Sequence, residues 1–446
     1  MTDFREEADA IFASLLARIG EANPQPRLDA TQMAVDYLGN PERMYRVITV
    51  TGTNGKTSTA RMIESLLRAH GIRVGLLTSP HLERVNERIL IDGEPISDEK
   101  FVENWRDIEY YLEMVDTDLS ERGEEPLTYF EALTVLAFAA FADAPVDVAV
   151  LEVGMGGTWD STNVADADVA VFTPVDLDHV ERLGKTIAEI AKTKAGIIKS
   201  ESIVVTSEQH PDALKQIAAA AEKFGSTPIV EGDGFELLGS VKAVGGQVVR
   251  VRGRAGTYDD VPVTLHGMHQ AHNAALAIAA VESFLGDGTR PIATESLAEG
   301  LGTVTSPGRL QYLSATPPII VDAAHNPHGA RALATALADS LPFERYWCVL
   351  GVLGDKDYSG IISALDPYVD GFIVTQSQSD RAIDADALAK SVMAVAGPDR
   401  VHTADSLNSA ITVARGLCAS GDAIIVTGSI TLVGECIALA KQESWK

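Results

Sequence analysis

The sequence predicts an α/β protein: a mostly parallel sheet domain that carries a phosphate loop, followed by a smaller Rossmann-like α/β domain. Three observations predict this. Short apolar runs rich in Val and Ile alternate with helix-like stretches, in two separate series. At 446 residues the chain is too long for one hydrophobic core. Small and chemically active residues follow directly after several runs, at the carboxyl ends of the expected strands, where open α/β sheets bind ligands.

In chain order, the start "MTDFREEADAIFASLL" reads as an acidic helix, acidic where a secretory leader would be basic. The first strand series is "RVITVT" from 46, "RVGLLT" from 73, "DVAVLEVG" from 147, "DVAVFTP" from 168 and "SIVVTS" from 202. Continuous rather than alternating apolar character indicates strands covered on both faces, hence a parallel sheet. "VKAVGGQVVRVRGRAGTYDDVPVTL" from 241 alternates and is punctuated by glycine, which predicts hairpins at the edge of the first domain. Gly, Ser and Pro cluster in "GTVTSPGRL", residues 302–310, and place the boundary there, giving domains 1–302 and 303–446. The second series follows: "PIIVDAAHN", "YWCVLGVLG", "GFIVTQSQ", "RVHTADS" and "DAIIVTGS".

Composition excludes several classes. With 46% hydrophobic and 22% charged residues the chain is not a disordered one. A formal charge of -27 without a basic cluster excludes nucleic acid as a partner. A small polyanionic substrate remains compatible, provided loop amides, lysines or a metal ion make the field locally positive. Cys348, Cys418 and Cys436 show no paired spacing, which predicts a reduced, cytoplasmic protein. The longest apolar run, "ALTVLAFAAFA", is about half a membrane span, so no membrane association is expected. Nothing in the motifs calls for a second chain, and a monomer is expected.

The chemistry starts at "VTGTNGKTS", residues 50–58. The common pattern G-x-x-x-x-G-K-[ST] would need glycine where Val50 stands. Even so, Gly52 and Gly55 allow tight turns that aim backbone amides inward, Lys56 can reach terminal phosphates, Thr57 can ligate Mg²⁺, and a helix N-terminus follows. Glu152, in "LEVGMGG", ends a buried strand beside glycines that permit close approach, as a hard oxygen ligand for Mg²⁺ would. His179, in "DLDHVERLG", reads by itself as a helix-start histidine. Thr128 and Glu131 have capping-box spacing, which is sufficient explanation for Glu131. His266, His269 and His272 recur every third residue, but no cysteine or acid completes a zinc set.

Taken together, "TGTNGKTS", "TSPHLERVNERI", "TYFEALT", "LEVGMGGTWDSTN", "DHVERLGKTIAEIAKTKAGIIK", "GMHQAHNAALA", "SPGRLQ", "DAAHNPHG", "GVLGDKD" and "VTGSITLVGE" resemble, in order and over nearly the whole chain, the folate-linked branch of the Mur ligase superfamily, the dihydrofolate synthase/folylpolyglutamate synthase family. That family's loop has the shorter G-T-N-G-K form, so Val50 is no defect. The resemblance implies an ATP-dependent ligase that adds L-glutamate to dihydropteroate or reduced folates. It implies that Gly52, Thr53, Asn54, Gly55, Lys56, Thr57 and Ser58 hold ATP phosphates, with Asn273, Arg309 and Asp322 as further ATP contacts. It implies that Ser79, Glu152 and His179 join Thr57 in holding Mg²⁺, and that Lys194 is the lysine such enzymes carry as a carbamate. Lys56, Lys194, Asp322 and His325 are the positions it ties to catalysis, and Thr128, Trp159, Asp160 and Ser161 those it ties to the pterin side.

The sequence departs from the family at several of these positions. Thr57 stands in "GKTS" where "GKGS" is usual, Thr158 and Trp159 replace a cation and a leucine, Thr193 replaces a common Glu, and Ala323 a common Gly. The implied reaction is phosphorylation of a carboxylate by ATP and displacement of phosphate by the amine of glutamate. Since Arg309, Asp322 and His325 fall in the second domain, the site is expected to be complete only when the domains close. Two rivals make different demands. A muramyl peptide ligase would need a UDP-sugar module ahead of the loop, where only 51 residues precede Gly52. A P-loop switch would release phosphate without an acid or glutamate.

Overall fold

A computed structural model describes residues 4–20 and 25–445. The chain forms two compact units, Met1–Ser240 with Val248–Val263 and His272–Val304, and Val241–Gln247 with Thr264–Ala271 and Thr305–Lys446.

The first unit is built on strands β1 (Arg46–Thr51), β2 (Val74–Leu77), β3 (Ile89–Ile91), β4 (Glu94–Pro95), β5 (Val148–Glu152), β6 (Val169–Phe172), β7 (Ile203–Thr206) and β8 (Ile229–Val230). They form one sheet in the order β4-β3-β2-β5-β1-β6-β7-β8. All pairings are parallel except β2 with β3 and β3 with β4, at one edge. In β1 every residue after Arg46 is buried, as the unbroken apolar run requires. Its register sets Val50 opposite Glu152, and Thr51 opposite Phe172. The loops after β1, β5 and β6 therefore leave the sheet at one level, side by side.

The helix Lys56–Arg68 follows β1 and is held by the helix Thr294–Gly302, where Ser65 Oγ donates to the Gly300 carbonyl at 2.8 Å. The apolar run 132–142 is helix rather than membrane span: Tyr129–Asp143 packs with Phe4–Leu16, Asp29–Tyr37 and Asp98–Glu121 around Phe101, Phe138 and Phe141. Each of those fully buried rings contributes roughly 2–3 kcal/mol. The acidic start is thus a helix from Phe4 onward, its first three residues lying outside those described. No helix among the described residues is long and apolar enough to cross a membrane.

The alternating segment that starts at 241 pairs within itself and not with the first sheet. Strands β9 (Glu236–Ala243), β10 (Gly246–Arg252) and β11 (Thr257–Val263) form their own sheet, in the order β11-β10-β9. The edge strand β8 has two residues, too short to template a partner of seven or eight.

The second unit carries β12 (Gln311–Ala315), β13 (Pro318–Val321), β14 (Arg345–Leu350), β15 (Gly371–Val374), β16 (Val401–Thr403) and β17 (Asp422–Thr427), in the order β12-β13-β17-β14-β15-β16. Only β12 runs antiparallel. Its core centres on Cys348, Phe372, Ile361, Ile362 and Leu388. Cys348, Cys418 and Cys436 are free thiols.

Candidate active site

The turn after β1 can be made only by glycine. Gly52 sits at φ 149°, and a Cβ there would lie 1.9 Å from Thr173 Oγ1. The loop is then tied to its neighbours. Thr53 N donates to the Pro174 carbonyl at 2.9 Å, Thr53 Oγ1 to the Asp176 carbonyl at 2.9 Å, and Thr51 Oγ1 to the Gly156 carbonyl at 3.0 Å. Asn54, Gly55, Lys56 and Thr57 stay half-buried at the mouth of the helix, while Ser58 is buried. Asn273 lies against this loop, since a Cβ on Gly55 would fall 2.9 Å from its Oδ1. Loop amides and a helix N-terminus make a preformed anion cradle.

Glu152, 1% exposed at the end of β5, is the junction of the metal-type residues. Thr57 Oγ1 donates to its Oε1 at 2.8 Å, and Ser79 N donates to its Oε2 at 3.2 Å. His179 precedes the short helix Val180–Leu183 in the left-handed region, at φ 49°, which a non-glycine residue adopts at a cost of about 1 kcal/mol or more. Its backbone N–H donates to Asp178 Oδ1 at 2.8 Å. Among the described residues no three His, Cys, Asp or Glu side chains converge as a metal cage. The structure brings Thr57 Oγ1 and Ser79 N to Glu152, and a buried carboxylate beside a hydroxyl could serve an ion such as Mg²⁺, which keeps several waters and takes phosphate oxygens. The histidine run disperses: the His266 ring stands 5.8 Å from that of Tyr312, and His272 Nδ1 meets Glu231 Oε1 at 2.5 Å.

Two amines converge on one carbonyl. Lys56 Nζ lies 3.2 Å from the carbonyls of both Gly52 and Thr53, and Lys194 Nζ lies 2.7 Å from that of Gly52. Burial, then the charge of Lys56, pulls the Lys194 ammonium down to about 7, against the opposing influence of Asp178 and Asp160. Lys194 is therefore an amine with an accessible neutral form near neutral pH.

The loop 154–164 closes over the Lys194 helix. A Cβ on Gly157 would lie 2.6 Å from the Lys194 carbonyl. Thr158 donates to the Thr193 backbone carbonyl through both N and Oγ1, each at 2.9 Å, while the Thr193 hydroxyl donates to the Glu189 carbonyl at 3.3 Å. Trp159 packs with Met155 and Ile187 against Ile190 and Leu183. Asp160 is buried and accepts from Thr162 N, Thr162 Oγ1 and Met155 N. Ser161 Oγ pairs with Thr134 Oγ1 at 2.8 Å. Thr128 closes the expected capping box: its Oγ1 accepts from Glu131 N at 3.2 Å, and its N donates to Glu131 Oε2 at 2.7 Å. Thr128 and Ser161 thus gather at the first turns of one helix.

Within the second unit, Asp322 follows β13 and accepts from Leu310 N at 3.0 Å and Ala324 N at 2.9 Å, which ties the "SPGR" turn to the "DAAHN" loop. Burial raises its carboxyl, and the Arg309 charge opposes that rise. His325 Nδ1 lies 2.9 Å from the Ala323 carbonyl, and the helix Pro327–Asp339 starts beside it, capped by Asn326. Ala323 keeps ordinary backbone, which is why alanine serves where glycine is common.

Two residues escaped the sequence reading. Arg27 clamps Glu131 with Nε to Oε1 at 3.0 Å and Nη2 to Oε2 at 3.1 Å, pinning the capping box across 104 positions. No local pattern signals such a contact. Arg61, one turn beyond Thr57, interrupts the buried stripe of its helix, and that interruption was a readable signal.

Family comparison agrees over both units. The Mur ligase middle domain matches residues 50–281, and the Mur ligase glutamate ligase domain matches 308–430. The dihydrofolate synthase/folylpolyglutamate synthase of Mycobacterium tuberculosis is 45% identical over 437 residues, covering 93% of this chain and 90% of that one. The Escherichia coli protein of the same name is 34% identical over 407 residues, covering 91% and 89%. Among solved structures, the M. tuberculosis folylpolyglutamate synthase complexed with ADP superposes with a TM-score of 0.94 at 43% identity, covering 98% of this chain and 99% of that one. An E. coli enzyme in complex with DHPP and ADP gives 0.85 at 30% identity, covering 98% of both. The chain therefore belongs to the dihydrofolate synthase/folylpolyglutamate synthase family of the Mur ligases, enzymes that use ATP to join L-glutamate to folates.

Proposed function

We propose that this chain phosphorylates the free carboxylate of dihydropteroate or of a reduced folate with ATP, and that the amine of L-glutamate then displaces phosphate from the resulting acyl phosphate. The observation that carries the reading is the junction at Glu152, where the phosphate-loop hydroxyl of Thr57 and the Ser79 loop meet one buried carboxylate at the rim of the sheet. The ADP complexes of relatives support nucleotide binding, which the proposal assigns to the loop 52–58 with Asn273, Arg309 and Asp322 as further contacts.

A carboxylate resists an amine because its charge is delocalised and oxide is a poor leaving group; transfer of the terminal phosphoryl group removes both obstacles. Loop amides hold the phosphates, and Lys56 moves from the Gly52 and Thr53 carbonyls onto the terminal phosphate, where it balances charge that grows in the transition state. Thr57, Ser79, Glu152 and His179 would hold Mg²⁺, which supplies further neutralisation of the phosphate oxygens when bound. Lys194 would carry a carbamate: its neutral amine adds CO₂ and loses a proton, and the repulsion from Lys56 becomes attraction. Asp322 and His325 serve from the domain that begins at 303, and the domain 1–302 holds the rest. Thr128, Trp159, Asp160 and Ser161 line the pterin side, with Asp160 shaping its loop through backbone contacts. The free thiols suit a reducing cytoplasm.

The test is phosphate release with ATP, Mg²⁺ and L-glutamate, comparing dihydropteroate with reduced folates as acceptor. Turnover that requires both acceptor and glutamate is expected, and the preferred acceptor identifies the pterin. Release at the same rate without either joining partner would overturn the reading in favour of a nucleotide switch.

A further inference from the structure

Arg61 is a half-buried cation that the ligase reading does not use. It lies four residues after Thr57 on the helix Lys56–Arg68, so both side chains occupy the same face. Long helical side chains lean back toward the N-terminus, which directs the guanidinium toward the turn that carries Thr57. Its Nε is buried without a hydrogen-bond partner.

The carboxylates around it are engaged elsewhere. Glu152 accepts from Thr57 and from Ser79 N. Glu64 accepts from Arg68 Nε at 3.0 Å, and Glu87 accepts from the backbone N–H groups of Leu82, Glu83 and Arg84. Burial lowers the Arg61 guanidinium from its ordinary value, and the charges of Glu152, Glu64 and Glu87, in that order, oppose the change. Glu152 is thus the acid that feels this cation most. Because no ion pair among the described residues holds the guanidinium, its charge acts on the neighbouring carboxylate.

We propose that Arg61 holds down the affinity of the Glu152 site for a lone divalent cation, so that metal is retained there only together with the phosphates of the nucleotide. At the carboxylate of Glu152, which Thr57 Oγ1 and Ser79 N meet, a nearby positive charge lowers the attraction that an isolated ion would find. The negative charge of a triphosphate restores it. Arg61 is therefore a charge-setting residue that acts through Glu152, without contact to reactants. The inference rests on the proposed metal role of Glu152, and the sign of the effect separates it from a packing role. Loss of packing would weaken metal binding, whereas loss of the charge strengthens it.

The experiment is a titration of the nucleotide-free protein with Mn²⁺, free ion being read by electron paramagnetic resonance and Mg²⁺ used as competitor. Arg61→Met is expected to bind Mn²⁺ about tenfold more tightly than the unaltered protein, and Arg61→Lys to match it. Arg61→Gln serves if the methionine variant does not fold, as judged by circular dichroism. Unchanged or weaker binding in the neutral variants would overturn the inference, while a large loss in Glu152→Ala in the same titration would leave the metal reading standing. If Glu152→Ala binds Mn²⁺ as before, both fall together.

Discussion

Lys56 and Lys194 share the Gly52 carbonyl, and this proximity makes their substitutions informative in different ways. Lys56→Ala removes a charge aimed at the transferring group, so a loss of about 3 kcal/mol of transition-state stabilisation, roughly a hundredfold in rate, is expected with an unchanged circular dichroism spectrum. Lys194 has a folded value of about 7 against an ordinary 10.5. Its contribution to stability is complete above pH 10.5, is lost as pH falls through about 7, and below that leaves the full cost of a buried cation. With CO₂ excluded, Lys194→Met should therefore be more stable than the unaltered protein below pH 7 in urea unfolding, and the gap should close as pH rises. Under isotopically labelled bicarbonate, a carbamate carbon resonance present in the unaltered protein and absent from Lys194→Met is expected; its absence from both would remove the carbamate from the proposal.

At the scale of elements, the helix Tyr129–Asp143 depends on its first turn. The capping box of Thr128 and Glu131 satisfies two orphan donors, and Arg27 holds the acid from a distant segment. Thr128→Ala should cost about 1 kcal/mol in unfolding free energy, and Thr128→Ser much less. If Thr128 also faces the pterin, the alanine variant raises KM for the acceptor while KM for ATP stays put. A rise in both would assign Thr128 to the fold alone. The contact of Thr158 Oγ1 with the Thr193 backbone carbonyl is an element-scale result as well, since it ties the loop to a helix 35 positions away.

For the whole molecule, the charge of -27 is carried by a chain whose proposed site gathers basic side chains, Lys56, Lys194 and Arg61 among them. Self-repulsion of the acidic surface should make the protein more stable in moderate salt than at very low ionic strength, read as a rise in melting temperature with added NaCl. A flat response would mean that the excess acids are locally compensated. Each unit has its own sheet and core, and the chain passes between them at 240/241, 247/248, 263/264, 271/272 and 304/305.

The phosphate loop, the strand series of both sheets and the capping box were legible because each is written in consecutive residues: apolar runs fix strands, and glycine with lysine fixes the loop. Short edge strands such as β3, β4 and β12 were not, since two to five residues carry no usable period. The three-stranded sheet was legible as strands but not as a separate sheet, because pairing depends on whether a neighbouring edge is long enough to accept it. By itself the sequence determined which side chains stand at the carboxyl ends of the strands. Only the tertiary structure decided that Thr57 and Ser79 meet on Glu152, that burial and Lys56 pull the Lys194 ammonium down, and that Arg61 lies among carboxylates engaged elsewhere. The reason is physical: bonding distance and burial arise from register and packing between segments far apart in the chain, and no local spacing encodes them.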